Sequence, residues 1–324
     1  MANSADWRVP AEIEPDPADY TYDLDRALSS VVGLRTVVPN DAFTADVLGT
    51  ERTGNGIIVR DDGIVLTIGY LVTEASEVWM TLADGRIVQG HVIGFDQETG
   101  FGLIQALGRL DMPALAFGAS SDAIPGTRVV SAGAGGRKHS VASRIVARQE
   151  FAGYWEYLLD EAIFTAPAHP YWGGTALIGP EGDLLGVGSL QLEHAGEDGE
   201  AVPLNMYVPT DLLKPIYDDM LTMGQANRPP RPWLGLYATE VDNRVVIAGV
   251  ANKGPAARKL KQGDVVLKVG DMRVTGLAGL FRKVWSLGRA GVDVPFTVFR
   301  DGKPVDLTVT SGDRNRFLKG PSLH

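Results

Sequence analysis

The amino-acid sequence predicts a mainly β protein: two six-stranded antiparallel barrels followed by a small α+β domain. Three observations carry that expectation. Glycine (39) and proline (19) are plentiful among the 324 residues and fall between short apolar runs, the punctuation of strands and turns rather than of helical bundles. Those runs come in two blocks of six or so with no helical periodicity between them, which fits hairpin-built barrels and not βαβ units. The charge also breaks: residues 1–227 hold 13 basic and 32 acidic side chains, net −19, whereas residues 228–324 hold 17 and 8, net +9, so a domain boundary is expected there.

Taken in order, residues 1–24 are an acidic arm in which Asp6, Glu12, Glu14, Asp16 and Asp19 sit among prolines, and they read as solvated chain. Residues 25–224 are the barrel domain. In its first block, Gly56 to Val59, the turn Asp61 to Gly63 and Ile64 to Thr67 make one hairpin; Val78 to Leu82, the turn Ala83 to Gly85 and Ile87 with Val88 make another. The second block places strands at Val129 to Ala132, Ala162 to Thr165, Ala176 to Ile178, Leu184 to Val187 and Met206 to Val208, with a turn at Gly179 to Gly182. The main helix of this half is expected from Asp211 to Met223, capped by Thr210 or Asp211. Residues 225–232 carry three prolines and read as an extended linker.

The last domain, residues 233–318, has strands at Arg244 to Ala248, Val265 to Val269, Phe296 to Phe299 and Leu307 to Val309, and a hairpin turn at Arg300 to Lys303. Leu277, Leu280, Phe281, Val284 and Leu287 recur at helical spacing, which predicts a helix over 275–288. Residues 319–324 are a tail.

Composition narrows the function. A net charge of −10 argues against general affinity for nucleic acid or an anionic membrane. The chain has no cysteine and five scattered histidines, which removes disulfides and thiolate nucleophiles and leaves little for a metal cluster. No cofactor motif is found: Gly133 to Gly136 is glycine-rich but lacks the Lys-Ser/Thr that follows a phosphate loop. The opening residues lack a secretion signal and no run of 18 apolar residues occurs, so a cytoplasmic location is expected, or a periplasmic one if a leader has been removed.

The succession Gly54 to Thr67, Asp96 to Ile104, Ala162 to Leu190 and Met206 to Leu212, then Pro232 to Val241 and Gly254 to Asp271, resembles the HtrA/DegP family of trypsin-fold serine proteases with a C-terminal PDZ domain. The resemblance implies a trypsin-like double β-barrel followed by an α+β PDZ domain, and a homotrimer. It also implies where catalysis belongs, and there this sequence departs. The family's general base falls on Tyr70, the carboxylate that orients it on Gly100, and the nucleophile on Trp172; the first of two oxyanion-hole N–H groups falls on Pro170, which has none. Tyrosine titrates near ~10 and is no base at neutral pH without a large shift, and tryptophan offers an N–H but no nucleophile. The expectation is therefore a catalytically inactive HtrA-like pseudoprotease, its former cleft blocked by Tyr70 and Trp172. It would serve as a protein-binding scaffold, adaptor or accessory subunit. Two alternatives stand beside it: an HtrA-type serine endopeptidase whose active site is noncanonical, for which Thr175, His169 and His139 are the available groups, or lies elsewhere than at Tyr70, Gly100 and Trp172; and a chaperone-like holdase.

The PDZ part implies capture of a protein or C-terminal peptide as an added strand, with backbone N–H groups of a Φ-Gly-Φ loop on its terminal carboxylate. Leu234, Gly235 and Leu236 supply that loop, and Phe281 and Val284 the side-chain pocket.

Overall fold

The computed structural model describes residues 7–195 and 199–320. The expectations for residues 1–6 of the arm and 321–324 of the tail lie outside them. The chain divides into two compact units: residues 1–149, 161–227 and 320–324 form the first, and residues 150–160 with 228–319 form the second.

In the first unit, β1 (Val31–Val37), β2 (Glu51–Ile58), β3 (Ile64–Ile68), β4 (Glu77–Thr81), β5 (Ile87–Phe95) and β6 (Phe101–Ala106) close into a barrel in the order β1-β2-β3-β6-β5-β4. Closure comes from β4 returning to β1, with Gly33 opposite Thr81 and Val37 opposite Glu77. Strand β3 is buried at all five positions, as expected of an apolar run with no polar alternation. Short helices decorate this barrel: α1 (Leu24–Leu28) before β1, α2 (Ala45–Leu48) before β2, and α3 (Gly69–Val72) directly after β3.

The second sheet contains β7 (Arg128–Ala132), β8 (Ser140–Gly153), β9 (Tyr157–Ala166), β10 (Ala176–Ile178), β11 (Leu184–Ala195) and β12 (Ala201–Pro209), a six-stranded ring in the order β10-β11-β12-β9-β8-β7. The expectation of two six-stranded barrels is corrected in one respect: both rings close, but the second is uneven in its strands. Strand β8 runs 14 residues and β11 runs 12, well beyond the five to nine of the first sheet. Strand β12 meets β9 over three residues only, Asn205 to Tyr207.

Two other expectations change. The helix foreseen over 211–223 is broken into 3-10 turns at Thr210–Leu212 and Lys214–Ile216, leaving α4 at Tyr217–Met223. Pro215 has no N–H for an i→i−4 bond, which accounts for the interruption. The arm, from residue 7 on, is docked rather than solvated: Val9 is buried and donates its N–H to Lys138 O at 2.9 Å, and Asp19 pairs with Arg128 at 3.2 Å.

The second unit is a sheet of β13 (Leu236–Val241), β14 (Arg244–Val250), β15 (Val265–Val269), β17 (Asp293–Arg300) and β18 (Lys303–Thr310), in that order, with β16 (Met272–Arg273) on β15. Helix α5 (Leu277–Ser286) buries Leu277, Leu280, Phe281 and Val284 in a core shared with Leu234, Leu236 and Ile247. The β17–β18 turn places Asp301 at φ 51° and Gly302 at φ 79°, the pair of positive angles a two-residue hairpin of matching twist needs.

Candidate functional site

The first candidate is a cleft in the first unit with a volume of about 930 Å³. Helix α3 places Tyr70 at its wall. The helix is pinned at its start by Gly69 N–H donating to Gly100 O at 2.6 Å, and at its end by the Arg52 guanidinium donating to Tyr70 O and Thr73 O at 2.7 and 2.9 Å. Gly100 itself ends a tight turn built on Asp96, whose carboxylate accepts from Thr99 N and Oγ1 at 2.8 Å; its φ of 85° suits glycine.

The β9–β10 loop supplies Trp172, whose indole N–H donates to the Tyr70 hydroxyl. That hydroxyl donates in turn to Ser189 O at 3.0 Å. Burial pushes the Tyr70 hydroxyl well above the ordinary tyrosine range and outweighs the Trp172 hydrogen bond, so the phenol keeps its proton. The structure thus brings together Tyr70, Gly100 and Trp172 around one end of α3, with Pro170 in the cleft wall. The pair does not block the cleft. Trp172 lines it, only part-buried, and the open volume remains beside it.

The loop's other groups are committed to position. His169 is 2 % exposed; its Nε2 bonds His139 O at 2.9 Å and its Nδ1 accepts from Tyr171 N at 3.0 Å, which fixes the ring as neutral with the proton on Nε2. Burial lowers its pKa to about 4. Trp7 covers it, ring centroids 5.0 Å apart, and also meets Tyr171. Thr175 donates to Trp172 O at 2.9 Å and lies 3.3 Å from the Tyr207 hydroxyl, so it is not brought to a histidine by any hydrogen bond of its own hydroxyl. Among the described residues, the side chains lining the cleft include His139, His169, Thr53, Thr81, Tyr70 and Tyr171, and no serine, aspartate or glutamate.

Sequence reasoning missed Asn55, the staple of this cleft. Its amide donates to Tyr171 O and Gly173 O at 3.1 and 3.0 Å and its carbonyl accepts from Ala134 N at 2.9 Å, tying β2 to two loops of the second ring. A lone asparagine in a strand gives no signal of such a role before the fold is known.

The second candidate lies in the other unit. Leu234, Gly235 and Leu236 form a loop whose three backbone N–H groups converge, and Phe281 and Val284 lie beneath, in the core of α5. The converging N–H groups are occupied: the carboxylate of Glu156 accepts from Leu234 N at 3.1 Å, Gly235 N at 3.3 Å and Leu236 N at 3.4 Å. Burial raises the Glu156 pKa to about 7, against the pull of these N–H groups and the nearby Arg314. Glu156 was also missed from sequence. The only trace is an acid set among aromatics, Tyr154, Trp155 and Tyr157, at a hairpin tip.

Among the described residues no group of three or more His, Cys, Asp and Glu is placed to hold a metal ion, and no helix is long and apolar enough to cross a membrane.

The trypsin-like peptidase domain family matches residues 54–187, and the PDZ domain family matches residues 232–310. A protein of Halomonas elongata named "Probable periplasmic serine endoprotease DegP-like" is 28% identical over 281 residues, covering 82% of this chain and 58% of its own length. One of the same name from Pseudomonas fluorescens is 27% identical over 276 residues, covering 81% and 56%. The chain therefore spans little more than half the length of these relatives. Among solved structures, the HtrA-type protease AlgW with tripeptide superimposes with a TM-score of 0.53 at 23% identity, covering 92% of this chain and 97% of that one. The serine endoprotease from Yersinia pestis gives 0.52 at 21%, covering 89% and 95%.

These findings correct two expectations. The reading as an inactive pseudoprotease scaffold is overturned by relatives that are described as serine endoproteases, and they favour the endopeptidase alternative. The cytoplasmic expectation is overturned because the same relatives are described as periplasmic.

Proposed function

The chain belongs to the HtrA/DegP-like family of trypsin-fold serine proteases with a C-terminal PDZ domain, and from that premise we propose that it is an HtrA-type endopeptidase with a nonstandard site, acting on polypeptide in the periplasm. The observation that carries the reading is the open cleft of about 930 Å³ in the first unit, whose wall includes Tyr70, Pro170 and Trp172. Its kinship with relatives named as endoproteases supports the reaction class. The PDZ domain supports binding of a peptide or protein partner, through Leu234, Gly235 and Leu236 with Phe281 and Val284.

Tyr70, Gly100 and Trp172 stand where the family carries its base, its orienting carboxylate and its nucleophile, and Pro170 removes one oxyanion donor. Hydrolysis by this chain consequently cannot use a serine relay at those positions. Both ring nitrogens of His169 are engaged, which leaves His139 as the imidazole of the cleft that can accept a proton. Partial burial and the charge of Arg8 lower its pKa, so it is neutral at pH 7. In this reading His139 draws a proton from a water that attacks the scissile carbonyl, and the imidazolium returns it to the departing amine as the C–N bond breaks.

The test is fragment mapping. Purified chain incubated with a carboxymethylated, unfolded protein should yield new termini, identified by mass spectrometry, that are absent from the protein-free control. A fragment pattern indistinguishable from that control overturns the proposal.

A further inference from the structure

The hairpin tip between β8 and β9, residues 150–160, is part of the PDZ unit and fills its groove in the manner of a bound peptide. Four separate contacts hold it. The Glu156 carboxylate takes all three N–H groups of the Leu234–Leu236 loop, at 3.1 to 3.4 Å. Ala238 N, on the edge strand β13, donates to Tyr154 O at 2.9 Å, a main-chain bond of the kind an added strand makes. Ala152 and Leu158 pack against the core that contains Leu236, Phe281 and Val284. On helix α5, the Arg282 guanidinium pairs with Glu150 at 2.5 Å and with Asp160, clamping both legs of the hairpin.

Three of the four contacts have a counterpart in the recognition of a free C-terminus: carboxylate on the loop, backbone on the edge strand, apolar side chain against the core. Glu156 reaches its place with a φ of 62°, a left-handed conformation that a non-glycine residue adopts only when its surroundings hold it there. Three convergent N–H groups would otherwise need an anion or water.

We propose that residues 150–160 are an internal ligand of the PDZ carboxylate loop, and that a partner's C-terminal carboxylate enters the groove only by displacing Glu156. The partner is a polypeptide with a free, apolar C-terminus, because the loop offers donors to one carboxylate and the core beneath offers apolar surface. The inference rests on the reading of Leu234–Leu236 as a peptide-binding loop and is independent of any hydrolysis in the cleft.

Two measurements on the full chain test it. The first is amide exchange of Leu234, Gly235 and Leu236 in the wild type and in Glu156→Ala. Exchange should accelerate at these three amides in the variant while β15 stays protected; unchanged protection overturns the proposal, and loss at β15 would mark a folding defect, for which Arg282→Ala, which frees the hairpin legs without touching the loop, is the second variant. The second is binding of a fluorescent pool of random decapeptides ending in Val, Leu or Phe, free or amidated. Glu156→Ala should bind the free-acid pool about tenfold or more tighter than wild type, the factor set by the small open fraction of the wild-type groove. The amidated pool should gain nothing. Equal affinity of wild type and variant overturns the competition. Freed amides with no binding by either chain overturn instead the peptide-binding reading on which it rests.

Discussion

At the scale of single residues, two buried titratable groups dominate, and they act in opposite directions. His169 is held neutral, with a pKa lowered from 6.5 to about 4. A depressed folded pKa means that its stabilisation is complete above 6.5 and is lost as pH falls through 4, a change of up to about 3 kcal/mol from this group. Urea midpoints measured from pH 7 to pH 4 should therefore fall more steeply for the wild type than for His169→Gln, and equal slopes would contradict the assignment. Glu156 has the reverse sense. Its pKa in the docked hairpin is raised from 4.5 to about 7, so docking is strongest below the lower value and weakens as pH rises through the upper one. The charged and titratable groups facing it are Arg314 and the phenol of Tyr237. After correction for intrinsic rates, amide exchange at Leu234 to Leu236 should reveal more opening at pH 8 than at pH 5. Tighter docking at the higher pH would count against it.

At the scale of elements, the turns were the most legible features. Asp62-Gly63, Asp84-Gly85 and Asp301-Gly302 each fall at a hairpin bend, where the glycine takes a positive φ that is cheap for it, and at the last the aspartate does so too. Helix α5 followed from its apolar spacing, although it is shorter at each end than expected: its first N–H is capped from a distant strand, Leu277 N donating to Glu240 at 2.5 Å. What the sequence hides is set by tertiary partners. The length of β8 and β11 depends on where neighbouring strands leave them, and no local pattern encodes that. The same holds for Asp264. It is 1% exposed and its carboxylate takes two bonds from Arg300 at 2.6 Å, linking the approach to β15 with the end of β17. Burial alone would raise its pKa, but the Arg300 fork and Lys261 N–H bring it below the ordinary range. Removing the partner with Arg300→Ala leaves a buried carboxylate unpaired and should cost about 3 kcal/mol of stability in the second unit, read from its unfolding midpoint by denaturant. A change within the error of the measurement would show the pair to be incidental.

At the scale of the whole molecule, the sequence was legible in architecture and poor in relationships. Family resemblance rests on turns and framework strands, and it led to Tyr70 and Trp172, which meet in the wall of one cleft, and to Gly100, which holds the start of α3 beside them. It did not show that Trp172 lines the cleft and leaves it open, because that depends on a hydrogen bond between residues 102 positions apart and on the backbone of Ser189. Nor did it show Glu156 in the PDZ loop, a contact between segments separated by 78 residues. Sequence separation of that size leaves no local signature, so both sites could be located but not completed without the structure. The proposed hydrolysis takes place within the open cleft, with His139 as its base. Its most direct test is turnover of a quenched-fluorescence decapeptide library at pH 7 by the full chain and by His139→Ala. Measurable turnover by the wild type, reduced about 100-fold or more in the variant, is the expected result; no turnover above the protein-free rate, or equal rates in the two proteins, would rule out His139 as the base of hydrolysis in this cleft.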